Sequence, residues 1–263
     1  DKNNLPYDVV VERLHIEEPE PPAPVTEPEK TFEEVLDEHP VSIQVNGQWQ
    51  TFPNAKAAEE ASYEEYKANL RRNAKNFRIT DEHLGEGGPK AKFQANVNAI
   101  RLLKELEAAG QQASPEQQEV LSRYVGWGGL SDAFDPEKPV WALEYAQLKE
   151  LLTPEEYAAA RSSTLNAHYT SPTVIQAIYE AVDRMGFETG NILEPSMGVG
   201  NFFGMLPEEM RNSRLYGVEL DPVSGRIAKQ LYPKADITVG GFETTDRRDF
   251  FDLAIGNVPF GQY

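Results

Sequence analysis

The stretch Ile192-Leu-Glu-Pro-Ser-Met-Gly-Val-Gly-Asn-Phe202 decides the fold class of this chain. A short apolar run ends in Glu194, glycines follow at 198 and 200, and a helix is predicted after them. Glycines let the backbone approach a ligand closely, and the N–H groups at a helix start offer hydrogen-bond donors. The stretch therefore predicts the strand–loop–helix start of a nucleotide-binding α/β unit.

Three further segments strengthen that prediction. Leu215-Tyr-Gly-Val-Glu-Leu-Asp221 predicts a second strand that ends in Glu219, about 20 residues beyond the loop, where an acid can accept hydrogen bonds from ribose hydroxyls. Asp252-Leu-Ala-Ile-Gly-Asn-Val-Pro-Phe260 predicts a short apolar strand that runs into Asn-Val-Pro-Phe. Ala167-His-Tyr-Thr-Ser-Pro-Thr173 predicts a helix start, with proline in the first turn and the preceding serine or threonine as its cap.

Together these motifs resemble those of S-adenosylmethionine-dependent amino-methyltransferases of the adenine-N6 DNA type. In that family Glu-Pro-x-x-Gly-x-Gly-x-Phe is the cofactor loop and Asn-Pro-Pro-Tyr/Phe is the catalytic loop. The resemblance covers residues 165–263, and its motif order is similar to that of members whose target-recognition part lies C-terminal. It implies an α/β, partial Rossmann-like methyltransferase fold, with a parallel sheet of order 3-2-1-4 that lacks the C-terminal strands. The four strands are predicted near residues 191–194, 215–219, 236–239 and 252–256.

The same resemblance implies roles for individual residues. The catalytic residues would be Asn257, Val258, Pro259 and Phe260. The residues that bind S-adenosylmethionine would be Tyr169, Thr170, Glu194, Pro195, Gly198, Gly200, Asn201, Phe202, Glu219, Leu220 and Phe242. Within this set the tyrosine and threonine would hold the methionine end, the second glutamate would hold the ribose, and Phe242 would stack on the adenine, with ordinary core packing as its alternative.

Two positions depart from the family pattern. Val258 stands where the family has proline, but the contact needed there is a backbone carbonyl, which valine also provides. Gly241 stands where an aspartate commonly contacts the amino group of the cofactor's adenine, and losing such a bond costs about 1.5–3 kcal/mol. Glu243 or Asp246 could substitute for that aspartate. Weak cofactor binding or a decayed site is therefore an alternative.

A narrower resemblance extends further towards the N-terminus. Asn76-Phe-Arg-Ile-Thr-Asp81, Lys92-Phe-Gln-Ala-Asn-Val-Asn-Ala-Ile-Arg101, Tyr124-Val-Gly-Trp-Gly-Gly-Leu130 and Ile255-Gly-Asn-Val-Pro-Phe-Gly261 are similar to the front end of large methylase–helicase fusion proteins of phages, plasmids and conjugative elements. This resemblance covers roughly residues 70–263. It implies that the remaining methyltransferase and target-recognition parts, and a helicase-like part, belong to the same longer protein.

The amino-acid composition excludes several kinds of metal-binding and catalytic site. The chain has no cysteine and four histidines, which excludes disulfides, zinc–thiolate sites and thiol catalysis and leaves no metal site expected. No apolar run approaches the roughly 18 residues of a membrane span, and no signal peptide is visible. The sequence does not begin with methionine and is expected to be a piece of a longer cytoplasmic protein of a bacterium, phage or mobile element.

The net charge of −18 is unevenly distributed. Residues 1–40 hold 12 acidic and 3 basic residues, which is half of that charge, whereas residues 161–263 hold 13 acidic and 9 basic residues. Since phosphates are bound by Lys and Arg, this piece is expected to bind DNA weakly, with the main DNA-binding surface elsewhere in the protein.

We divide the chain into four segments. Residues 1–30 form an acidic, proline-rich leader or linker, residues 31–53 a β-hairpin, residues 54–161 a helical region, and residues 162–263 the truncated methyltransferase core. Asn46-Gly47 between alternating runs is the signal for the hairpin, whose Trp49 and Phe52 are expected to pack on another part of the chain.

The helical region contains two capping boxes and one glycine-rich loop. Ser114-Pro-Glu-Gln117 and Thr153-Pro-Glu-Glu156 each predict a helix start. In the loop, Trp127 is interpreted as a buried anchor, with stacking on a base or on adenine as the alternative. His83 is interpreted as a surface or capping residue rather than a catalytic one.

The expected reaction is methylation of the N6 amino group of adenine in DNA. The lone pair of that amino group is delocalised into the ring, so an enzyme can activate it by accepting its hydrogen bonds through the Asn257 side chain and the carbonyl of residue 258, while Phe260 faces a flipped base. Whether this piece is itself an active enzyme stays open. The alternatives are an amino-methyltransferase that acts on RNA or protein glutamine, and a degenerate scaffold without activity.

Overall fold

A computed structural model describes residues 39–165 and 169–258 of the chain. The chain divides into two compact units, Asp1–Glu65 and Tyr66–Tyr263. The leader predicted over residues 1–30 lies outside the described residues.

The first unit contains the predicted hairpin. Strands β1 (Val41–Val45) and β2 (Gln48–Phe52) are antiparallel, and positive φ angles at Asn46 (52°) and Gly47 (74°) form the turn between them. The expected packing of Trp49 is wrong, because its side chain is 71% exposed. The residue pairs with Gln44, and directly opposite residues in an antiparallel pair point to the same face, which here is the exposed one.

Helices and further strands follow in the order that the sequence predicts, with small shifts of their ends. The helices are α1 (Ala55–Asn73), α2 (Pro89–Ala108), α3 (Pro115–Ser122), α4 (Ala142–Leu151), α5 (Pro154–Ser163), α6 (Pro172–Arg184), α7 (Asn201–Gly204) and α8 (Pro222–Leu231). The remaining strands are β3 (Asn191–Glu194), β4 (Arg214–Glu219), β5 (Asp236–Val239) and β6 (Leu253–Ala254). Short 3-10 turns cover Ser131–Phe134, Pro139–Trp141, Glu208–Met210 and Phe242–Thr244.

The second unit contains a four-stranded sheet of order β5-β4-β3-β6. All three strand pairs are parallel, with Ile192 opposite Leu215 on one side and opposite Leu253 on the other. In terms of these four strands the order is 3-2-1-4, so the predicted order is confirmed. The architecture is mixed α/β with a parallel sheet, which is compatible with a Rossmann-like fold. Strand β6 is shorter than predicted, with two residues in place of five.

One continuous core joins the sheet to helices α2–α8. Trp127 is 1% exposed, and its ring packs edge-on against Phe93 (6.0 Å between centroids) and Phe134 (5.2 Å). The interpretation of this tryptophan as a buried anchor is therefore confirmed. Its alternative, stacking on a base, is wrong because no face of the ring is free. His83 is exposed and pairs with Glu86, as expected of a surface residue.

Helix starts are set locally in two of the three predicted cases. Both capping boxes are present, with Ser114 and Thr153 each accepting from the backbone three residues on. Ser171 occupies the cap position of α6 but makes no side-chain capping bond. Proline at the first position of α6 lacks an N–H and has the φ angle that a helix needs, which favours the start without that bond.

A charged network ties α2, α5 and α8 together. The guanidinium of Arg226 makes two hydrogen bonds to Glu107, at 2.7 and 2.6 Å, and a third to Glu156 at 2.5 Å. The ammonium of Lys104 lies 2.9 Å from Glu156, which also accepts the backbone N–H of Thr153. Burial of the Glu156 carboxyl opposes its ionisation, but the bonds from Arg226, Lys104 and Thr153 outweigh burial and lower its pKa to about 2.

We expect Glu156→Gln to lower the free energy of unfolding by about 3 kcal/mol at pH 7, because a buried carboxylate with two cationic partners is lost. The unfolded carboxyl has a pKa of about 4.3, above the folded value. The contribution is therefore fully present above that unfolded pKa and disappears as pH falls towards 2. Urea unfolding at several pH values measures it. Glu155→Gln, an exposed neighbour on the same helix, is the matched control and should leave stability nearly unchanged.

Candidate functional site at the carboxyl edge of the sheet

The carboxyl ends of the four parallel strands meet at one edge of the sheet, where open α/β sheets bind ligands. Glu194 ends β3 and Glu219 ends β4. Phe242 follows β5, and Asn257 follows β6. The tertiary structure thus brings the predicted residues of four separate segments to one edge.

The loop after β3 requires glycine at two positions. Gly198 and Gly200 have φ angles of +57° and +84°, which side chains rarely adopt. A methyl group added at Gly200 would also lie 2.6 Å from the ring of Tyr232 and 2.9 Å from the terminal carbon of Met197. The predicted helix after the loop is a single turn, α7.

The Glu219 side chain, at the end of the neighbouring strand β4, fixes the backbone of the loop after β3. Its carboxylate accepts the backbone N–H of Gly198 at 2.6 Å and that of Asp221 at 2.8 Å. Burial raises the pKa of this carboxyl, although both hydrogen bonds act in the opposite direction. The sequence predicted that this carboxylate binds a ribose. In the structure, two of its acceptor positions are occupied by backbone N–H groups of the protein itself. A carboxylate has about four, so two remain for a ligand.

Glu194 is a buried carboxyl with an unsatisfied oxygen. Its side chain is 2% exposed, and Oε2 has no hydrogen-bond partner within the described part of the chain. Burial first, and the negative charge of Glu219 second, raise its pKa well above the usual range. Gly256 lies directly beside it, since a methyl group there would be 3.6 Å from Cγ of Glu194 and from Cδ of Pro195.

Tyr169 and Thr170 are half-buried on the other side of the glycine loop. The Tyr169 hydroxyl lies 3.2 Å from Oγ of Ser224, which in turn donates to Oδ2 of Asp221 at 2.5 Å. Oδ1 of Asp221 has no partner among the described residues. Ser224 in α8 and Asp221, which caps that helix, were not predicted as part of the site. Asp221 followed by proline is a helix-cap signal that could have identified its role.

Leu220 and Phe242 present apolar side chains to solvent, 74% and 50% exposed. They follow the neighbouring strands β4 and β5, and Gly240 N–H bonds to the carbonyl of Glu219 at 2.8 Å, which ties the two strand ends together. Core packing, the alternative for Phe242, is wrong because half of the side chain is exposed. The carboxylate of Glu243 lies where a side chain at position 241 would project.

The predicted catalytic segment begins beside the glutamate of β3. The N–H of Ile255 donates to the carbonyl of Leu193 at 2.9 Å, which fixes the end of β6. Asn257 and Val258 follow and are exposed, so their polar groups are accessible. Pro259 and Phe260 lie outside the described residues.

Three of the residues predicted to bind the cofactor lie within the loop after β3 and the helix that follows it. Pro195 and Asn201 are half-buried within the loop and its helix. Phe202 is buried, with its ring 6.2 Å from that of Tyr179, whose hydroxyl donates to the Phe202 carbonyl at 2.8 Å. The ring of Phe202 therefore belongs to the core beneath the loop.

The described residues contain no group of three or more metal-ligating side chains placed to hold a metal ion. Over residues 39–165 and 169–258, no helix combines the length and the apolar character needed to cross a membrane.

Two curated proteins are similar to this chain. It is 27% identical over 180 residues to "Defense against restriction protein B" of Escherichia phage P1, a match that covers 67% of this chain and 6% of that protein. It is 45% identical over 74 residues to the type II methyltransferase M.CvrRI of Paramecium bursaria Chlorella virus XZ-6E, which covers 28% of this chain and 19% of that protein. No family model and no solved structure matches. These similarities support a methyltransferase-like domain in a chain that spans less than a fifth of either relative.

We expect Glu219→Gln to lower the free energy of unfolding by about 2 kcal/mol, because two backbone N–H groups lose a charged acceptor and the amide can replace only one of the bonds. Chemical denaturation measures this loss. Glu188→Gln, an exposed residue before β3, is the control and should shift the midpoint little. Equal stability of the two variants would contradict the bridging role of Glu219.

Proposed function

We propose that this chain is the cofactor-binding part of an S-adenosylmethionine-dependent methyltransferase that methylates the N6 amino group of adenine in DNA, within a larger protein. The parallel sheet, the glycine loop at its carboxyl edge and the similarity to a type II methyltransferase support this proposal.

The unsatisfied carboxyl of Glu194 is the observation that carries the proposal. A buried carboxylate without a partner is costly, and it is relieved either by a proton or by a cation. S-adenosylmethionine has a cationic ammonium group and a sulfonium, so it can provide that cation. The glycine loop fits the same ligand, because positions without side chains leave room for the ligand next to backbone N–H groups.

Other residues at the edge complete the fit. The two acceptor positions that Glu219 has left can hold ribose hydroxyls. Leu220 and Phe242 offer exposed apolar surface on adjacent strand ends, which suits the faces of an adenine ring. The carboxylate of Glu243 lies where a side chain at position 241 would project, so it can replace the family's aspartate and accept a hydrogen bond from the adenine amino group.

The segment after β6 supplies acceptors for the target amino group. When bound, the cofactor supplies a methyl group activated on a sulfonium. The side-chain carbonyl of Asn257 and the backbone carbonyl of Val258 can each accept an N–H of the amino group, which concentrates electron density on the nitrogen. Phe260, in the part of the chain that is not described, would stack on a flipped base.

DNA as the partner is inferred from the resemblance and from the relatives. The phage P1 protein is named for defence against restriction, and the viral relative is named a type II methyltransferase. Because the chain is strongly acidic, we assign the main DNA-binding surface to other parts of the larger protein, which would include target-recognition and helicase-like parts.

A degenerate scaffold without activity is the second candidate, and Gly241 and Val258 favour it. A scaffold has no use for a buried carboxyl that lacks a partner, whereas a cofactor site does. The position of Glu243 also compensates for the glycine at 241. Both observations favour the methyltransferase over the scaffold.

The first test is calorimetric titration of this chain with S-adenosylmethionine and S-adenosylhomocysteine. We expect micromolar binding accompanied by proton release, because burial raises the pKa of the Glu194 carboxyl and a ligand cation beside it would lower that pKa. Affinity should therefore rise with pH. Titrations in buffers of different ionisation enthalpy measure the released protons.

Glu194→Gln tests whether the Glu194 carboxyl itself binds the ligand's cation, as opposed to the overall negative charge of the chain. It should reduce affinity about 10- to 150-fold, as expected for a lost hydrogen bond to a charged group, and it should abolish the proton release. Glu188→Gln is the exposed control and should change neither quantity. Absence of binding up to millimolar ligand would reject the methyltransferase proposal for this chain and leave the scaffold.

Asn257→Ala tests the reaction itself. We expect the rate of methyl transfer to adenine in DNA to fall about 10²- to 10³-fold, as for removal of one stabilising group at a reacting centre, with cofactor affinity unchanged. Transfer of a labelled methyl group from S-adenosylmethionine measures the rate. DNA, RNA and a glutamine-containing protein should be compared as substrates. Transfer to the RNA or the protein alone would identify the substrate as other than DNA.

A further inference from the structure

The ring of Tyr169 is held at both edges by glycines from two distant segments. A methyl group at Gly126 would lie 2.5 Å from Cε2, and one at Gly198 would lie 2.7 Å from Cε1 on the opposite edge of the ring. The hydroxyl is fixed by Ser224 at 3.2 Å, and the ring of Tyr124 stands perpendicular to that of Tyr169. The tyrosine therefore separates the glycine-rich loop of the helical region from the loop after β3.

The position of Gly126 is set by a buried side chain of helix α2. Asn96 is fully buried, and its amide nitrogen donates to the carbonyl of Gly126 at 2.6 Å. Its amide oxygen accepts the N–H of Val125 at 2.8 Å. Both halves of the Asn96 amide are thus used to fix the backbone against which Tyr169 packs. The contacts are continuous from α2 to the loop after β3.

We propose that Gly126, held by Asn96, is a positioning residue for the cofactor site: it leaves the space that seats Tyr169 against Gly198. The inference rests on the proposed function, since it assigns the helical region a part in shaping the same site. The role requires glycine for two reasons. The φ angle at 126 is +68°, and any side chain there would overlap the ring.

Gly126→Ala tests the proposal, with Gly129→Ala as its matched control. Gly129 lies in the same loop with a φ angle of +74°, but a methyl group there would meet nothing within 4 Å. Both variants acquire the same backbone strain, and only the first displaces the ring. We expect Gly126→Ala to weaken binding of S-adenosylhomocysteine about tenfold, because one aromatic contact is misplaced, and Gly129→Ala to leave it nearly unchanged. Equal affinities of the two variants would overturn the proposal.

A double variant tests whether the effect acts through the tyrosine. In a Tyr169→Ala background, Gly126→Ala should cause no further loss of affinity, because the overlap no longer exists. The same tenfold loss in that background would overturn the proposal. Calorimetry below the melting temperature of every variant supplies the affinities.

Melting temperatures separate failure of this inference from failure of the proposed function. If the unmodified chain does not bind S-adenosylhomocysteine, the proposed function fails, and the seating of the ring is decided without ligand. In the chain that keeps Tyr169, Gly126→Ala must then lower the melting temperature more than Gly129→Ala does. In the Tyr169→Ala background, the two glycine variants must lower the melting temperature by the same amount. A difference that persists without the tyrosine overturns the inference.

Discussion

The hydrogen bonds of the Glu219 carboxylate hold together the edge of the sheet on which the candidate site is built. One oxygen accepts from Gly198 in the loop after β3, and the other accepts from Asp221 at the start of α8. The bond to Gly198 joins the ends of two strands that are neighbours in the sheet, across 21 residues of the chain, and the bond to Asp221 is local. Because the same carboxylate fixes both loops, the conformation of the glycine loop and the start of the next helix depend on each other.

Acidic side chains are concentrated at this edge, and among the described residues Glu194, Glu219 and Asp221 form no ion pair. Glu194 and Asp221 each keep an oxygen that has no partner within the described residues, and Glu219 is held only by backbone N–H groups. The charged network of Arg226 with Glu107 and Glu156 lies elsewhere, between α8 and the helical region, and is internally satisfied. The two groups of acidic residues therefore differ: the Arg226 network is balanced by its own cations, whereas the carboxyls at the sheet edge are paired with no cation among the described residues.

The helical region and the sheet share one core, which places a loop of the helical region against the candidate site. Trp127 is buried among aromatic rings, so its loop is an anchor, while the adjacent Gly126 contacts Tyr169 at the site. The same short loop is thus structural at one residue and in contact with the candidate site at the next. The similarity to the phage P1 protein covers two thirds of the chain, which is more than the sheet region alone.

Local patterns in the sequence determined the hairpin turn at Asn46-Gly47, both capping boxes and the positions of the four strands, because each depends on neighbouring residues or on a short motif. The parallel order of the strands was implied by the family resemblance and not by any local pattern. Only the tertiary structure decided that Trp49 is exposed, that Glu219 bridges two loops, and that Asn96 and Gly126 seat Tyr169. These features depend on which face a strand presents or on contacts between residues 21 to 43 positions apart, and no local periodicity encodes either.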